Sequence, residues 1–499
     1  MDFLLYFQNH FKGIFPELFL SLAIFGMLVF GVIYTTSEKY NKLILIRTIN
    51  WLAIQTLIIT IVLIWNNPIN DIIIFNDLLI IDDFSNVIKI IVSISSICCI
   101  LLSFEYLKDE KLYAFEYALI LLLAILGIFL IISSYSLISM YLAIELQSLS
   151  LYVIAAYKRN TKFSTEAGLK YFILGALASG FLLIGCSLMY GFTGLTSFTD
   201  FAKLFGGSLL YNDFYASNGI IIGIVFITIA LLFKLAAAPF HMWAPDVYEG
   251  APTSVTAFFA IVPKIAILGL LIRFLSTTLY DLIDYWQEII FLSAIISIVV
   301  AAFAALEQKK LKRFLAYSAI GHTGYILIGV ATGTPDGIQA SLLYMIIYII
   351  TSIGVFSIVL SLRNKVTKTK IKYLSELHNL GNTNPVLAIS LTIVLFSMAG
   401  IPPLAGFIGK LYIFLAAIES SMYLLAIIGV MTSVIGAVYY IRLIKIMYFE
   451  KLRVFNFYQE VDREKSILIA LSIFFLVFFF LDPSALLIFA HKHALNLCL

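Results

Sequence analysis

Apolar stretches of about 20 residues, the length a helix needs to cross a hydrocarbon core, recur from residue 17 to near residue 490 with only short polar breaks. Lipid offers no partner for a free N–H or C=O, so runs of this kind fold as helices that bond their own backbone. Spans are expected near 17–35, 43–65, 84–104, 113–133, 136–157, 165–189 and 218–243. Seven more are expected near 253–276, 288–306, 312–332, 338–362, 385–418, 422–444 and 467–489. The expected fold class is therefore an all-α polytopic membrane protein with about 14 transmembrane helices.

Composition excludes most other functions. Of 499 residues, 62% are hydrophobic and 12% charged, about half the charged fraction of an ordinary soluble domain, roughly 25%. No stretch is left over for a soluble enzyme domain. Cys98, Cys99, Cys186 and Cys498 form neither a spaced C-x-x-C pair nor a Cys/His cluster. No G-x-G-x-x-G follows a strand and no G-K-[ST] loop occurs, so no dinucleotide, flavin or nucleoside triphosphate site is expected. Any redox chemistry belongs to another chain. The opening "MDFLLYFQNHFKGIFP" lacks an Arg-rich presequence and a small-residue cleavage site, so a cleaved targeting peptide is not expected. Heavy use of Ile, Phe, Tyr and Asn suits an A/T-rich organelle genome.

Charge distribution tests the span count, because a wrong count would scatter Lys and Arg over both faces. With fourteen spans they gather on one. That face receives Lys39, Lys42, Arg47, Lys108, Lys111, Lys158, Arg159, Lys162, Lys309, Lys310, Lys312 and Arg313, then Arg363 through Lys372 and the stretch from Arg442 to Lys465. The other receives Asp71, Asp77, Asp82, Asp83, Asp200, Asp213, Asp281, Asp284 and Asp336, with Lys12, Lys203 and Lys492 as its basic residues. Both termini then lie on the acidic face, away from matrix or cytoplasm.

Six basic residues remain inside spans: Lys89, Lys170, Lys234, Lys264, Arg273 and Lys410; Glu145 is the clearest acidic one. A charge at the bilayer centre costs at least about 2.5–3.5 kcal/mol on the insertion scale, so it usually faces a cavity or a partner. Snorkelling along an aliphatic stem fits Lys89 and Arg273. It fits Lys264, near mid-span, and Lys234 and Lys410, beside helix breaks, poorly. Lys170 has Glu166 one turn before it, and an ordinary i,i+4 ion pair would explain both. Tyr141, Ser148 and Tyr152 share a helical face with Glu145, an inward polar stripe; the plain alternative is a Glu locked to one lysine for packing. His322 has Ser318 and Tyr325 on its face and can carry a proton near neutral pH, or it is a neutral packed histidine. His241 follows Pro239 at a break and either conducts protons or caps carbonyls.

The segments "LFKLAAAPFHMW" (232–243) and "LFSMAGIPPLAG" (395–406) are alike, and Pro239 aligns with Pro402. Four spans separate the spans that hold them, so the two enter from opposite faces, the sign of inverted repeats. Pro239, Pro402 and Pro403 mark helix breaks, where freed carbonyls need water or neighbours. Helices 7 and 12 are accordingly expected to be broken. Lys234 precedes one break and Lys410 follows the other, beside half-helix dipoles.

"APFHMWAPDVYEGAPTSVTAF" (238–258), "KRFLAYSAIGHTGY" (312–325), "MYLAIELQSLSLYVIAA" (140–156) and "AGIPPLAGFIGKLYIF" (399–414) closely resemble the NADH:ubiquinone oxidoreductase chain 2 family, antiporter-like membrane-arm subunits of respiratory complex I. The resemblance covers essentially the whole chain. It implies two inverted five-helix repeats, with residues 1–112 as three preceding helices, 113–276 and 277–447 as the repeats, and 448–499 as a loop and helix 14. It makes Glu145 the fifth-span glutamate, and Lys234, Lys264 and Lys410 the seventh-, eighth- and twelfth-span lysines, all for proton transfer. NADH, FMN, Fe-S clusters and ubiquinone are then expected in other subunits, with none in this chain. Sister antiporter-like subunits and membrane lipids are the expected partners, without nucleic acid. Sister chains of the membrane arm typically have histidine at the start of the eighth span, where this one has Lys264, and the longest carries a C-terminal lateral helix that is not expected here. The ending favours the mitochondrial inner membrane, with both termini in the intermembrane space. The expected function is proton translocation driven by quinone reduction elsewhere in the complex. Alternatives are a cation/proton antiporter subunit of a multisubunit exchanger and a non-conducting spacer.

Overall fold

The structure, a computed structural model, describes residues 10–35, 42–67, 71–112, 114–207, 217–365, 369–450 and 458–498. Lys39, Asp213, Lys368, Lys451 and Arg453, which the charge asymmetry uses, lie outside the described residues, as do Met1 to Asn9 of the opening segment.

Among the described residues twelve helices are long and apolar enough to cross a membrane. They include the first span Phe15–Thr35, the second Lys42–Trp65, the third Asp83–Asp109, the fifth Leu137–Ala155, the seventh Asn218–Leu235, the eighth Thr253–Arg273, the tenth Leu311–Ala331, the eleventh Pro335–Ser361 and the thirteenth Tyr423–Tyr448. The half-helices Pro385–Ala399 and Ala405–Glu419 form a broken twelfth crossing, and Arg463–Phe478 is the fourteenth. The chain is an all-α polytopic membrane protein with inverted repeats broken in helices 7 and 12.

Local chemistry sets the ends. The third and fifth spans begin in capping boxes, Asp82 with Ser85 and Ser136 with Ser139, and Thr334 caps the eleventh ahead of Pro335 at its first turn. In each, a side-chain oxygen accepts an N–H that the first turn leaves unpaired. Beside the Asp82 and Ser136 caps a short hairpin pairs Ile72–Ile74 with Leu79–Ile81, and Phe198–Gly207 buries Phe198, Phe201 and Phe205.

Two expected spans end differently. The seventh helix stops at Leu235, well before residue 243, and Trp243–Gly250 is a separate short helix. The last expected span, 467–489, is two helices, Arg463–Phe478 and Ser484–Cys498. Pro483 has no N–H to continue a helix and disfavours the helical region for Asp482, and the Asp482 carboxylate accepts from the Ser484 N–H at 3.1 Å. The final helix packs on the eleventh span, where His491 Nδ1 lies 2.9 Å from Gln339 Oε1.

By internal packing the chain forms two units. The first comprises Met1–Lys234, Gly250–Val255 and Val262–Trp286; the second comprises Leu235–Glu249, Thr256–Ile261 and Gln287–Leu499.

Candidate functional site

In the first unit Glu145 and Lys234 both reach the same polar stripe without forming an ion pair among the described residues. Between them stands the polar stripe of the fifth span. Ser148 Oγ donates to the Glu145 backbone carbonyl at 3.1 Å and reaches one carboxylate oxygen at 3.5 Å. Lys234 Nζ donates to the Tyr152 hydroxyl at 3.4 Å and lies 5.7 Å from its ring centroid. Both side-chain contacts sit at the long limit of a hydrogen bond, and the other Glu145 oxygen is buried without a hydrogen-bond partner among the described residues. A packing device would show a short, closed pair. This arrangement is open.

Lys264 is buried at 3% exposure in the eighth span, directly after Pro263. That proline has no N–H to donate to the carbonyl four residues earlier, while the helix runs on from Thr253 to Arg273.

In the second unit the first break follows Lys234. Ala236 takes a positive φ of 58°, and the freed Ala238 N–H donates to Ser297 Oγ at 2.7 Å. His241 is buried here, with Nδ1 unpartnered among the described residues and its ring 6.5 Å from Tyr317. The second break closes Pro385–Ala399 at Gly400, whose φ of 84° suits glycine. The Ile401 N–H returns to the Phe396 carbonyl at 3.1 Å, as in a Schellman ending. Pro402 and Pro403 follow, and Ser397 Oγ accepts the Gly406 N–H at 3.2 Å.

Lys410, on the second half-helix, reaches back to the end of the first. Its Nζ donates to the carbonyls of Ala399 at 2.8 Å and Met398 at 3.2 Å, and lies 4.9 Å from the Tyr325 ring centroid. The last carbonyls of a helix lack intrahelical partners and carry the negative end of its dipole. Hydrogen bonds to a charged group are worth about 1.5–3 kcal/mol each, so two of them, about 3–6 kcal/mol, are of the size needed to offset an insertion cost of at least about 2.5–3.5 kcal/mol. Among the described residues Lys410 is held by carbonyls and no carboxylate.

His322 belongs to a hydrogen-bonded chain that the sequence only half revealed. Ser318 Oγ and the Tyr440 hydroxyl are 2.5 Å apart, Tyr440 reaches His322 Nε2 at 3.3 Å, and His322 Nδ1 meets the Tyr344 hydroxyl at 2.7 Å. Tyr348 lies 5.3 Å from the His322 ring and donates to the Ala260 carbonyl at 2.9 Å. Ser318 was expected on this face; Tyr344, Tyr348 and Tyr440 were not. With 28 tyrosines in the chain, residue type singles none of them out.

Lys170 pairs with Glu166 at 2.8 Å, both largely exposed, the geometry of the ordinary ion pair. The snorkelling expectation for Lys89 and Arg273 is corrected. Lys89 is 3% exposed and bonded to Glu17 at 2.6 Å. Arg273 is 2% exposed, grips both Asp82 oxygens at 2.7 and 2.6 Å, and donates to the Ile132 carbonyl at 2.6 Å. Each finds an acid from a remote part of the chain, and a paired charge tolerates burial.

A family model described as NADH:quinone oxidoreductase/Mrp antiporter, transmembrane, matches residues 134–436. NADH-ubiquinone oxidoreductase chain 2 of Marchantia polymorpha is 49% identical over 494 residues, covering 99% of this chain and all of that one. A chain of respiratory complex I from Thermus thermophilus with bound aureothin superposes with TM-score 0.77 at 26% identity, covering 95% of this chain and 98% of that one. A chain of the Mrp complex from Dietzia sp. DQ12-45-1b has TM-score 0.81 at 17% identity over 98% of this chain and 97% of that one, a likeness of fold alone. The chain belongs to the NADH:quinone oxidoreductase/Mrp antiporter transmembrane family, within its NADH-ubiquinone oxidoreductase chain 2 branch.

Proposed function

We propose that this chain is a proton-translocating membrane-arm subunit of respiratory complex I, and that protons pass by way of Glu145, Lys234, Lys264 and Lys410. It forms part of an NADH:ubiquinone reductase without performing redox chemistry, which belongs with NADH, FMN, Fe-S clusters and ubiquinone in companion subunits. Those companions include sister antiporter-like chains. Residues 113–276 and 277–447 are the two functional repeats, flanked by 1–112 and 448–499. The membrane is the mitochondrial inner membrane, with both termini in the intermembrane space.

The observation that carries the relay is the open Glu145–Ser148–Tyr152–Lys234 stripe. Proton affinity depends on nearby charge, so a carboxylate that approaches or leaves Lys234 changes whether that lysine holds its proton. Quinone reduction elsewhere would drive this movement. Lys264 and Lys410 continue the path, and the Tyr440–His322–Tyr344 chain is its hydrogen-bonded neighbourhood in the second unit. The exchanger alternative has fold likeness at 17% identity in its favour, against 49% identity to a chain 2 relative.

Lys264→Met tests the reading against a non-conducting spacer. An apolar side chain of similar length leaves the fold, because it removes a buried charge. The expected result is an assembled complex with depressed proton pumping and quinone reductase turnover; full pumping would establish the spacer.

A further inference from the structure

The second span carries a stripe that the relay leaves unused. Arg47, Thr48, Trp51 and Gln55 are exposed, and an open cavity of about 500 Å³ lies over this group, with Leu52 completing its lining. Positions 47, 51 and 55 are four residues apart and share one helical face. Among the described residues the Arg47 side chain makes no ion pair or hydrogen bond. Trp51 is held edge-on against Phe104 of the third span at 5.3 Å, so the cavity has one fixed aromatic wall.

The same face continues beyond Gln55 with a change of chemistry. Ile58, Ile59 and Val62 are 45–51% exposed, and Trp65 is 78% exposed at the far end. From Arg47 to Ile59 is twelve residues, about 18 Å of helix. One leaflet of the hydrocarbon core is about 15 Å, half of roughly 30 Å. A cation and two polar groups thus stand at one end of a strip whose apolar part continues into the leaflet. That polarity gradient matches a diacyl lipid with an anionic headgroup. Tryptophan belongs at the headgroup level, and basic pockets on the inner side of membrane proteins take anionic headgroups.

We propose that this cavity is a binding site for an anionic phospholipid. Its phosphate sits against Arg47, the glycerol region against Thr48 and Trp51, and one acyl chain runs past Gln55 to Ile58 and Ile59. The site rests on the proposed topology only in placing Arg47 in the inner leaflet.

The test uses the intact complex, stripped of lipid in detergent, with two photoreactive probes. One is phosphatidylglycerol carrying a diazirine in its acyl chain; the other is phosphatidylcholine with the same chain. Phosphatidylglycerol should label the 48–65 segment about fivefold more than phosphatidylcholine, the worth of roughly one basic residue beside an anionic lipid. Arg47→Gln should reduce it to the phosphatidylcholine level with assembly unchanged, and excess inorganic phosphate should not compete. Equal labelling by both probes, an unaltered preference in Arg47→Gln, competition by phosphate, or a cross-link to a companion subunit in place of lipid would each overturn the proposal. The readout is lipid on one helix, not pumping, so its failure leaves the proton-translocation reading standing, and a fully pumping Lys264→Met complex leaves this one.

Discussion

Tyr152 decides between two accounts of Glu145. If the stripe is a conducting surface, its hydroxyl is the group through which Lys234 senses the carboxylate, since Lys234 meets Tyr152 at 3.4 Å and Glu145 itself is out of ion-pair range. Tyr152→Phe keeps the edge-on ring contact with Tyr171 at 4.8 Å and removes only the hydroxyl. The expected outcome is an assembled complex whose pumping falls several-fold; unchanged pumping would make the stripe a packing feature. Glu145→Gln should act more strongly, lowering coupled turnover on the order of tenfold or more without loss of assembly. The charges at these positions were legible in the sequence because a lysine or glutamate inside an apolar run announces itself. Their partners were not. Lys89 and Arg273 looked like snorkelling residues because Glu17 lies 72 positions from one and Asp82 lies 191 from the other, distances over which sequence pattern carries no contact information.

Helix ends follow the same division. Run length gave the span count, since the bilayer sets it, but not where the seventh helix would stop or that Asp482–Pro483 would split the last run. Gly400 shows what holds one break together. A Cβ there would stand 2.9 Å from Lys410 Cδ, and the left-handed conformation adds about 1–2 kcal/mol for an L residue. Gly400→Ala should therefore displace Lys410 from the two carbonyls and reduce pumping in an assembled complex. The clamp between Asp82 and Arg273 makes a pH prediction. Burial raises the Asp82 carboxyl, but the Arg273 charge and the Ser85 hydrogen bonds outweigh it and hold it below the usual carboxylate range. A depressed carboxyl stabilises the fold above its unfolded value of about 3.9, and that stability is lost as pH falls through the lower folded value. Thermal unfolding of the purified complex should show an acid-dependent loss below about pH 4 that Asp82→Asn abolishes. At neutral pH Asp82→Asn should itself be destabilising by about 3–5 kcal/mol, because it strands a buried guanidinium.

Across the whole molecule, tertiary ion pairs test the threading independently of charge bias. Lys158 with Glu110, Lys310 with Glu249, and Arg313 with Asp246 and Glu249 join loops that fourteen crossings assign to one face. Glu17 with Lys89 and Asp82 with Arg273 join positions near the other. An odd error in the span count would have split such pairs across the membrane. Cysteines placed in the loops of Lys158, Lys309 and Arg363 should all react with an impermeant label from the matrix side, and one that reacts from the opposite side would overturn the orientation. In the proposed relay Lys410 passes a proton. Its measurement is proton uptake per quinone reduced by complexes carrying Lys410→Met or Lys410→Arg, in sealed vesicles. The relay predicts that both assemble and that neither restores full pumping, because Met carries no proton and guanidinium does not release one. An assembled Arg complex that pumps at the full ratio would contradict it.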